Sequence, residues 1–274
     1  MRFGKVYVEI TNVCNLKCSF CHGTARPPRF MSGEEFRLCL KRLGGYTKLL
    51  YLHVMGEPLL HPELPRFLSM ADEAGFSVNL TTNGTLLSFR EEALLSAPAL
   101  KRVNISLHAF EGSALPGGPE KYLNACTAFA RHSRRVITCF RLWNGGGEDT
   151  LNGALFRGLH AVFPGEWEPI RKGFRLAPMV YLELSSPFVW PDLSLPEHTG
   201  DAFCFGLRDQ CGVLSDGTVI PCCVDAEGSI ALGNLFESDL DAILSSPRAE
   251  GLYNAFSRRE AAEPLCRRCT YTAR

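Results

Sequence analysis

Residues 5–184 alternate between short segments with a two-residue hydrophobic period and longer segments with a helical period. Apolar and polar side chains alternate at 5–11, 48–55, 76–83, 102–108, 135–143 and 178–184, which predicts six strands. Between them, apolar residues recur every three or four positions, as at Phe36, Cys39, Leu40 and Leu43, and predict helices. Strands that alternate with helices form parallel sheets with right-handed crossovers, so the pattern predicts an α/β layer or a barrel-like sheet.

Each predicted strand has one apolar and one largely polar face. The polar positions are Tyr7, Glu9, Thr11, Tyr51, His53, Asn79, Thr81, Asn83, Asn104, Ser106, His108, Arg141, Tyr181 and Glu183. Parallel sheets covered by helices on both faces instead read as nearly continuous apolar runs. The pattern therefore favours a sheet curled into an open barrel, with helices outside and a wet cavity inside. A flat sheet with one solvated face is the alternative.

After Leu184 the composition changes, and this places a domain boundary near residue 185. Pro187, Pro191 and Pro196 fall close together, and half of the chain's 12 cysteines follow them. The later segment shows helical patterns only at 239–244 and 248–256, so a large core of its own is not expected. We therefore predict two units, residues 1–184 and 185–274.

Charge and hydropathy restrict the partners and the compartment. Lys+Arg 29 and Asp+Glu 29 cancel, so no net positive field favours nucleic acid or anionic lipid. No run of about 18 apolar residues predicts a membrane span, and the alternation at 5–11 differs from a signal peptide. These features predict a cytoplasmic protein without a membrane partner. In that reducing compartment, 12 cysteines in 274 residues indicate metal or redox chemistry rather than disulfides.

The loop after the first predicted strand has three cysteines in a C-x3-C-x2-C spacing, Cys14, Cys18 and Cys21. Three thiolates this close together can hold three corners of a [4Fe–4S] cluster and leave the fourth iron open. Zinc is the alternative, but a structural zinc site needs a fourth ligand, and His22 is too close to Cys21 for the usual spacing. The spacing therefore favours a cluster with one iron free for another ligand.

Short motifs continue this pattern at the ends of the next four predicted strands. They are Gly56-Glu57-Pro58, Thr82-Asn83-Gly84, Ser106-Leu107-His108 and Arg141-Leu142-Trp143-Asn144, and the cysteine loop itself adds Phe20 before its last cysteine. With the three cysteines, and in this order, they resemble the radical SAM superfamily over roughly residues 3–184. The resemblance implies a partial (β/α)6 barrel. Its open iron binds S-adenosylmethionine (SAM), and reduction then yields a 5′-deoxyadenosyl radical that takes a hydrogen atom from substrate.

The same resemblance implies a set of contacts with SAM. They are Phe20, Gly56, Glu57, Asn83, Ser106, Arg141, Trp143 and Asn144. Among them, Glu57 accepts from the SAM ammonium group, and Phe20 flanks adenine together with the backbone at 142–144. Other roles stay open: Asn83 also fits a turn, and Arg141 also fits an ion pair with Glu183 or Glu9. His108 faces inward, either as an acid or base or as a hydrogen-bonded wall residue.

The second cysteine group resembles the SPASM and Twitch extensions of radical SAM enzymes. Cys204, Cys222, Cys266 and Cys269 match the single-cluster Twitch form, and the layout is similar to that of the dehydrogenase of 2-deoxy-scyllo-inosamine. The resemblance implies an auxiliary [4Fe–4S] cluster with these four ligands; zinc is the alternative. Cys211 competes with Cys204 as a ligand. Cys223 is a candidate hydrogen-atom donor or a spare buried thiol.

The inward polar residues suit hydrogen-atom abstraction from a small polyol or aminosugar, by dehydrogenation or epimerisation. Arg141, His108 and Cys223 are the candidate catalytic residues, and flavodoxin or ferredoxin is the expected reductant. A peptide maturase that makes a crosslink or an epimer is the alternative. A noncatalytic electron carrier needs no SAM pocket, and a glycyl-radical activase needs no cysteine-rich tail. Arg26 and Arg29 offer local positive charge for RNA, against the neutral overall balance.

Overall fold

The computed structural model describes residues 3–113, 115, 118–187, 189–198 and 203–271. The strands of the described residues are β1 (Lys5–Val8), β2 (Leu49–Tyr51), β3 (Ser77–Thr82), β4 (Leu100–Ser106), β5 (Ile137–Leu142), β6 (Glu168–Ile170), β7 (Gly173–Ala177), β8 (Val180–Leu184), β9 (Gln210–Val213), β10 (Thr218–Ile220) and β11 (Gly233–Asn234). The α-helices are α1 (Gly33–Leu43), α2 (Leu64–Glu73), α3 (Leu87–Ser96), α4 (Ala109–Ser113), α5 (Gly118–His132), α6 (Asn152–Val162), α7 (Leu240–Leu244) and α8 (Pro247–Ser257). No helix among these residues is long and apolar enough to cross a membrane.

The strands form one sheet in the order β11-β10-β9-β1-β2-β3-β4-β5-β8-β7-β6. Its centre, from β1 through β5 to β8, is parallel throughout. These six strands are the six predicted from the alternation, and helices connect them. The predicted α/β fold class with a parallel central sheet is confirmed.

The two faces of the central strands separate as predicted. The apolar positions of β1 to β4, such as Val6, Leu50, Val78 and Val103, are fully buried in one core with the helices. Val54 is an exception: it packs with Tyr7 in a second, smaller cluster. The reason is that β2 ends at residue 51 rather than near 55, so the strand alternation does not extend to Val54.

Two parts of the sheet were not predicted. A hairpin of β6 and β7 adds antiparallel strands beside β8. On the other edge, β9 pairs parallel with β1, from Lys5 opposite Gln210 to Val8 opposite Val213. The C-terminal part of the chain therefore extends the sheet of the N-terminal part. The division at residue 185 stays a prediction.

Candidate functional site

The cysteine loop leaves β1 and returns to α1 through a narrow neck. Thr11 and Phe30 form an isolated antiparallel bridge across it. The Asn12 side chain closes the neck further: its amide donates to the Pro27 carbonyl at 2.9 Å, and its oxygen accepts from the Arg29 amide at 2.7 Å. Helix α1 then begins after a capping box. The loop from 12 to 29 is thus fixed at both ends although it contains no helix or strand.

The three cysteines of this loop point toward open surroundings. Cys14 and Cys21 are exposed and Cys18 is half-buried. The backbone amide of Leu16 donates to Cys14 Sγ at 3.4 Å, and that of Gly23 donates to Cys21 Sγ at 3.4 Å. Hydrogen bonds to sulfur are among the means by which proteins tune iron–sulfur clusters. The local backbone already supplies them.

The electrostatics of the thiols show that they are neighbours. Partial burial raises the pKa of Cys14 and of Cys18, and the nearby Cys21 thiol raises both further. Cys18 Sγ also lies 2.8 Å from Ser113 Oγ. Among the described residues, no three His, Cys, Asp or Glu side chains converge as on a single metal ion. Thiolates of a four-iron cluster sit on separate irons, and these three accessible thiols fit such a cluster.

The loop after β2 packs tightly against the entry to the cysteine loop. Gly56 has a φ of +76°, and a Cβ at this position would lie 2.5 Å from the Thr11 carbonyl oxygen. The next amide, of Glu57, donates to the Val13 carbonyl at 2.8 Å. Only glycine allows two backbones to approach this closely at a positive φ. Gly56 therefore sets the position of the chain that leads to Cys14.

The Glu57 carboxylate is buried and accepts three hydrogen bonds from the chain. They come from the Leu59 amide at 3.0 Å, the Thr82 hydroxyl at 2.7 Å and the Asn83 amide at 2.6 Å. Burial nevertheless raises the pKa of Glu57 to about 7. The side chain thus joins the loop after β2 to the end of β3. Its predicted contact with the SAM ammonium stays a prediction. The carboxylate already accepts three hydrogen bonds from the chain.

The raised pKa of Glu57 gives a pH-dependent stability. The folded value of about 7 exceeds the ordinary 4.5, so the folded state binds the proton more tightly between these values. Stability is therefore lost as pH rises from about 5 to about 8, by at most about 3 kcal/mol. We expect the thermal midpoint of the reconstituted protein to fall over this range relative to that of Glu57→Gln. Parallel pH profiles for the two proteins would show that Glu57 does not titrate there.

Asn83 has the turn role that the sequence also allowed, and its predicted contact with SAM stays a prediction. Its side-chain oxygen accepts from the Thr85 amide at 3.0 Å and hydroxyl at 2.7 Å, as in a turn. Its amide donates to Asn15 Oδ1 at 2.9 Å and points to Cys14 Sγ at 3.9 Å. Asn15 and Thr85 were not predicted, because neither belongs to a motif and their contact spans 70 residues.

A surface pocket of about 180 Å³ lies beside the cysteine loop. Its lining residues are Ser19, Phe20, Trp143, Asn144, Glu148 and Pro187. The structure thus brings together Phe20 with Trp143 and Asn144, the predicted neighbours of adenine. Ser19 and Glu148, which hydrogen-bond to each other, were not predicted. No motif surrounds Glu148, and only the fold places it here.

His108 and Arg141 form the wall next to this pocket. His108 is buried, its Nδ1 lies 3.0 Å from the Arg141 carbonyl oxygen, and its ring is 4.8 Å from that of Phe20. Burial lowers the pKa of His108, so the imidazole is neutral at pH 7. The arrangement is that of a hydrogen-bonded wall residue. Its predicted role as acid or base stays a prediction.

Arg141 forms an ion pair with Glu183, which was one of the two ion pairs predicted as an alternative to a SAM contact. Its Nε lies 3.3 Å from the Glu183 carboxylate, which also accepts from Arg102 at 2.7 Å, and its guanidinium lies 4.4 Å from the Trp143 ring centre. Ser106 is directly opposite Arg141 in the β4–β5 register. The two are therefore neighbours at the carboxyl ends of their strands, where a (β/α) barrel has its site.

The four predicted auxiliary ligands also come together. Burial raises the pKa of the Cys222 thiol, and Cys204 and Cys266 raise it further. In the same way, burial and then Cys269 raise the pKa of Cys204. Cys211 instead lies on β9 in the main core, where burial alone raises its pKa. The surroundings of the two thiols therefore favour Cys204 over Cys211 as a ligand.

Cys223 sits between this group and the inner strand face. Its side chain packs against the small cluster that contains Tyr7, and Tyr7 packs against Tyr51 and His53 at ring distances of 5.1 and 5.5 Å. Lys5 lies nearby, over the Tyr7 ring at 6.0 Å. The predicted hydrogen-donor role of Cys223 stays a prediction. Its position next to polar strand residues is consistent with that role.

Two family models match the chain. The Radical SAM superfamily model covers residues 8–150, and the SPASM iron–sulfur cluster-binding domain model covers residues 204–270. Among curated proteins, a Fe-coproporphyrin III synthase from Methanosarcina barkeri is 28% identical over 193 residues, 69% of this chain and 47% of its own length. A probable GTP 3′,8-cyclase from Methanocaldococcus jannaschii is 36% identical over 104 residues, 36% of this chain and 35% of its own. The chain spans less than half the length of these relatives.

Solved structures share the fold across nearly the whole chain. BtrN in complex with AdoMet and 2-DOIA has a TM-score of 0.64 at 16% identity and covers 98% of this chain and 93% of BtrN. SuiB of Streptococcus suis bound to S-adenosylmethionine has a TM-score of 0.65 at 15% identity and covers 92% of this chain and 68% of SuiB. At these identities, the likeness shows the fold alone.

Proposed function

From the premise that the chain belongs to the radical SAM superfamily, with a SPASM iron–sulfur domain, we propose that it abstracts a hydrogen atom from a small polar substrate. The family's cofactors are SAM, a [4Fe–4S] cluster and an auxiliary iron–sulfur cluster. The observation that carries the proposal is the polar inner face of the parallel strands. Its members include Asn79, Thr81, Asn104, His108, Arg141 and Glu183.

The residues in and around the cysteine loop have two separate roles, binding the cluster and binding SAM. Cys14, Cys18 and Cys21 would hold the cluster, which when bound would supply one-electron reduction of SAM. Phe20 and Trp143 line the pocket that would receive adenine. These positions agree with a SAM site at the carboxyl ends of β1 and β5, above the polar strand face.

Charge on the inner face supports a polar substrate with hydroxyl groups. Arg102 and Arg141 share the Glu183 carboxylate, and Asn104 accepts from Arg102 Nε at 2.8 Å. Such a network offers several donors and acceptors to hydroxyl groups. BtrN, crystallised with 2-DOIA, has nearly the same length as this chain and supports a small molecule of polyol or aminosugar type. Dehydrogenation or epimerisation at a hydroxyl-bearing carbon is the proposed outcome, with flavodoxin or ferredoxin as reductant.

A peptide maturase is the second candidate function. The observation that favours it is the likeness to SuiB, which has also been crystallised with the precursor peptide SuiA. That likeness has a TM-score of 0.63 and covers 66% of SuiB. A peptide backbone has amide donors and carbonyl acceptors, which can also hydrogen-bond to the polar strand face.

Isotope transfer tests the proposed hydrogen-atom abstraction. Carbon-deuterated polyols, aminosugars and short peptides are incubated anaerobically with reconstituted protein, SAM and dithionite. We expect deuterium in 5′-deoxyadenosine with a hydroxyl-bearing small molecule, because the polar strand face would hold the labelled carbon near the radical. The readout is mass spectrometry of 5′-deoxyadenosine.

Undeuterated polyols in D2O serve as the control for exchange with solvent. Transfer only from peptides would replace the small-molecule proposal by the maturase. Production of 5′-deoxyadenosine that never carries substrate deuterium, across both classes, would contradict hydrogen-atom abstraction from either.

A further inference from the structure

Residues 25–29, the exit arm, lead from the cysteine loop to α1 and are held by the C-terminal part of the chain. The Ala25 amide donates to the Glu227 carboxylate at 3.1 and 3.2 Å. Arg29 Nε donates to the Ser215 carbonyl at 2.8 Å. Both acceptors lie in the segment that the SPASM model covers, residues 204–270. The cysteine loop is therefore attached to the domain with the auxiliary cysteines.

The centre of this attachment is a buried ion pair. Arg26 donates to both oxygens of Glu9, at 2.8 and 2.7 Å, and the Glu9 side chain is fully buried. The same carboxylate accepts from the Ser215 amide at 3.2 Å and hydroxyl at 3.0 Å, and from the Met55 amide at 3.1 Å. Arg26 Nε donates in turn to the Ala226 carbonyl at 2.9 Å. One carboxylate thus joins β1, the exit arm, the loop after β2 and the C-terminal domain.

The geometry of this pair selects arginine. A buried carboxylate is stable only when its lone pairs are satisfied, and breaking one side leaves an uncompensated charge. The planar guanidinium holds both Glu9 oxygens and still has an Nε hydrogen for Ala226. A lysine ammonium has no such fork. The positive charge of Arg26, which the sequence offered for RNA, is therefore neutralised by Glu9 of the same chain.

The acceptor on the C-terminal side belongs to a turn that begins at an auxiliary cysteine. The Asp225 amide donates to the Cys222 carbonyl at 3.3 Å. The Asp225 carboxylate accepts from the Ser229 and Ile230 amides, each at 2.8 Å. These bonds fix the Ala226 carbonyl and Glu227 relative to Cys222. We call residues 222–230 the auxiliary turn.

We propose that Arg26 is a positioning residue that makes closure of the cysteine loop depend on the auxiliary turn. An ordered auxiliary turn presents the Ala226 carbonyl and the Glu227 carboxylate, and the exit arm then closes the loop through Arg26 and Glu9. Loss of the auxiliary cluster releases the turn and, through it, the arm. The inference rests on the proposed function only in taking the two cysteine groups as cluster sites.

Hydrogen exchange measured by mass spectrometry on the reconstituted protein tests this coupling. We expect amides of residues 14–29 to exchange at least about tenfold faster in Arg26→Gln, because the buried pair is broken. The double variant Cys266→Ser/Cys269→Ser, which lies outside both the arm and the turn, is expected to give the same acceleration. Arg26→Lys is expected to restore little of the protection, because it lacks the fork.

Two further variants separate positioning from general destabilisation. Arg37→Gln removes an exposed ion pair with Glu34 on α1 and is expected to leave residues 14–29 unchanged. Glu227→Ala removes the acceptor of the Ala25 amide but leaves the buried pair, so it is expected to accelerate exchange at 25–29 while β3 and β4 keep wild-type protection. This variant keeps the test valid if Arg26→Gln fails to fold.

Unchanged exchange of residues 14–29 in a folded Arg26→Gln, or of residues 25–29 in Glu227→Ala, would overturn the proposal. So would unchanged exchange in the Cys266→Ser/Cys269→Ser variant, since the loop would then be independent of the auxiliary turn. None of these measurements needs SAM or turnover. A protein that shows the coupling but forms no 5′-deoxyadenosine would contradict the proposed function and leave the coupling intact.

Discussion

Replacing Cys14, Cys18 and Cys21 together by alanine is expected to abolish 5′-deoxyadenosine formation and to leave about four of about eight iron atoms per chain. The three thiols stand on one loop, apart from the second group, so their loss removes one cluster only. The second group keeps Cys222 and its neighbours, whose thiols influence each other within the C-terminal domain. Iron analysis after anaerobic reconstitution measures the result.

The control for this experiment is a pair of single variants at Cys204 and Cys211. Cys204→Ala is expected to lose the auxiliary iron, whereas Cys211→Ala is expected to keep it, because Cys211 is a core residue of β9. Loss of all iron in the triple variant would refute an independent auxiliary cluster. Full iron content in the triple variant would refute the assignment of the first cluster to this loop.

Gly56→Ala is expected to destabilise the protein by about 3 kcal/mol or more and to lower iron retention at the first cluster. A Cβ would lie 2.5 Å from the Thr11 carbonyl oxygen and within 2.9 Å of Asn12 backbone atoms, which cannot move without opening the neck of the cysteine loop. The positive φ of +76° adds strain for any L-residue. Thermal unfolding and iron content are the two measurements.

Gly75→Ala is the matched control, because its φ of +75° is nearly the same and the nearest atom to its Cβ is the flexible Lys48 amine at 3.9 Å. This variant is expected to cost only the backbone strain, about 1 kcal/mol, with normal iron content. Equal effects of the two variants on stability and iron would show that the close approach of Gly56 to Thr11 has no role in forming the loop.

The sequence allowed prediction of the features that are local in the chain. The alternation in β1 and β3 to β5 separated core positions such as Val6 and Val103 from polar positions such as Asn104. The cysteine spacing and the motifs at strand ends led to Phe20 and Trp143, which the structure places in one pocket. Phe20 and Trp143 lie together because parallel strands bring their carboxyl ends to one edge, and their contact with SAM stays a prediction.

Features that depend on long-range pairing were missed. Strands β9 to β11 have only two to four residues, too few to show a period, and β9 joins β1 from about 200 positions away. Glu9 was considered as a partner of Arg141, but it pairs with Arg26, because the cysteine loop folds back onto β1. The donors to Glu57 likewise come from the end of β3. The sequence does not indicate which residue the fold will place beside a buried charged side chain.

The most direct test of the radical SAM assignment is quantification of 5′-deoxyadenosine from the wild-type protein. The reconstituted chain is incubated anaerobically with SAM and dithionite beside the variant that lacks Cys14, Cys18 and Cys21. The account predicts 5′-deoxyadenosine and methionine from the wild type in equal amounts and none from the variant. No 5′-deoxyadenosine from a wild-type protein carrying about eight irons would contradict it.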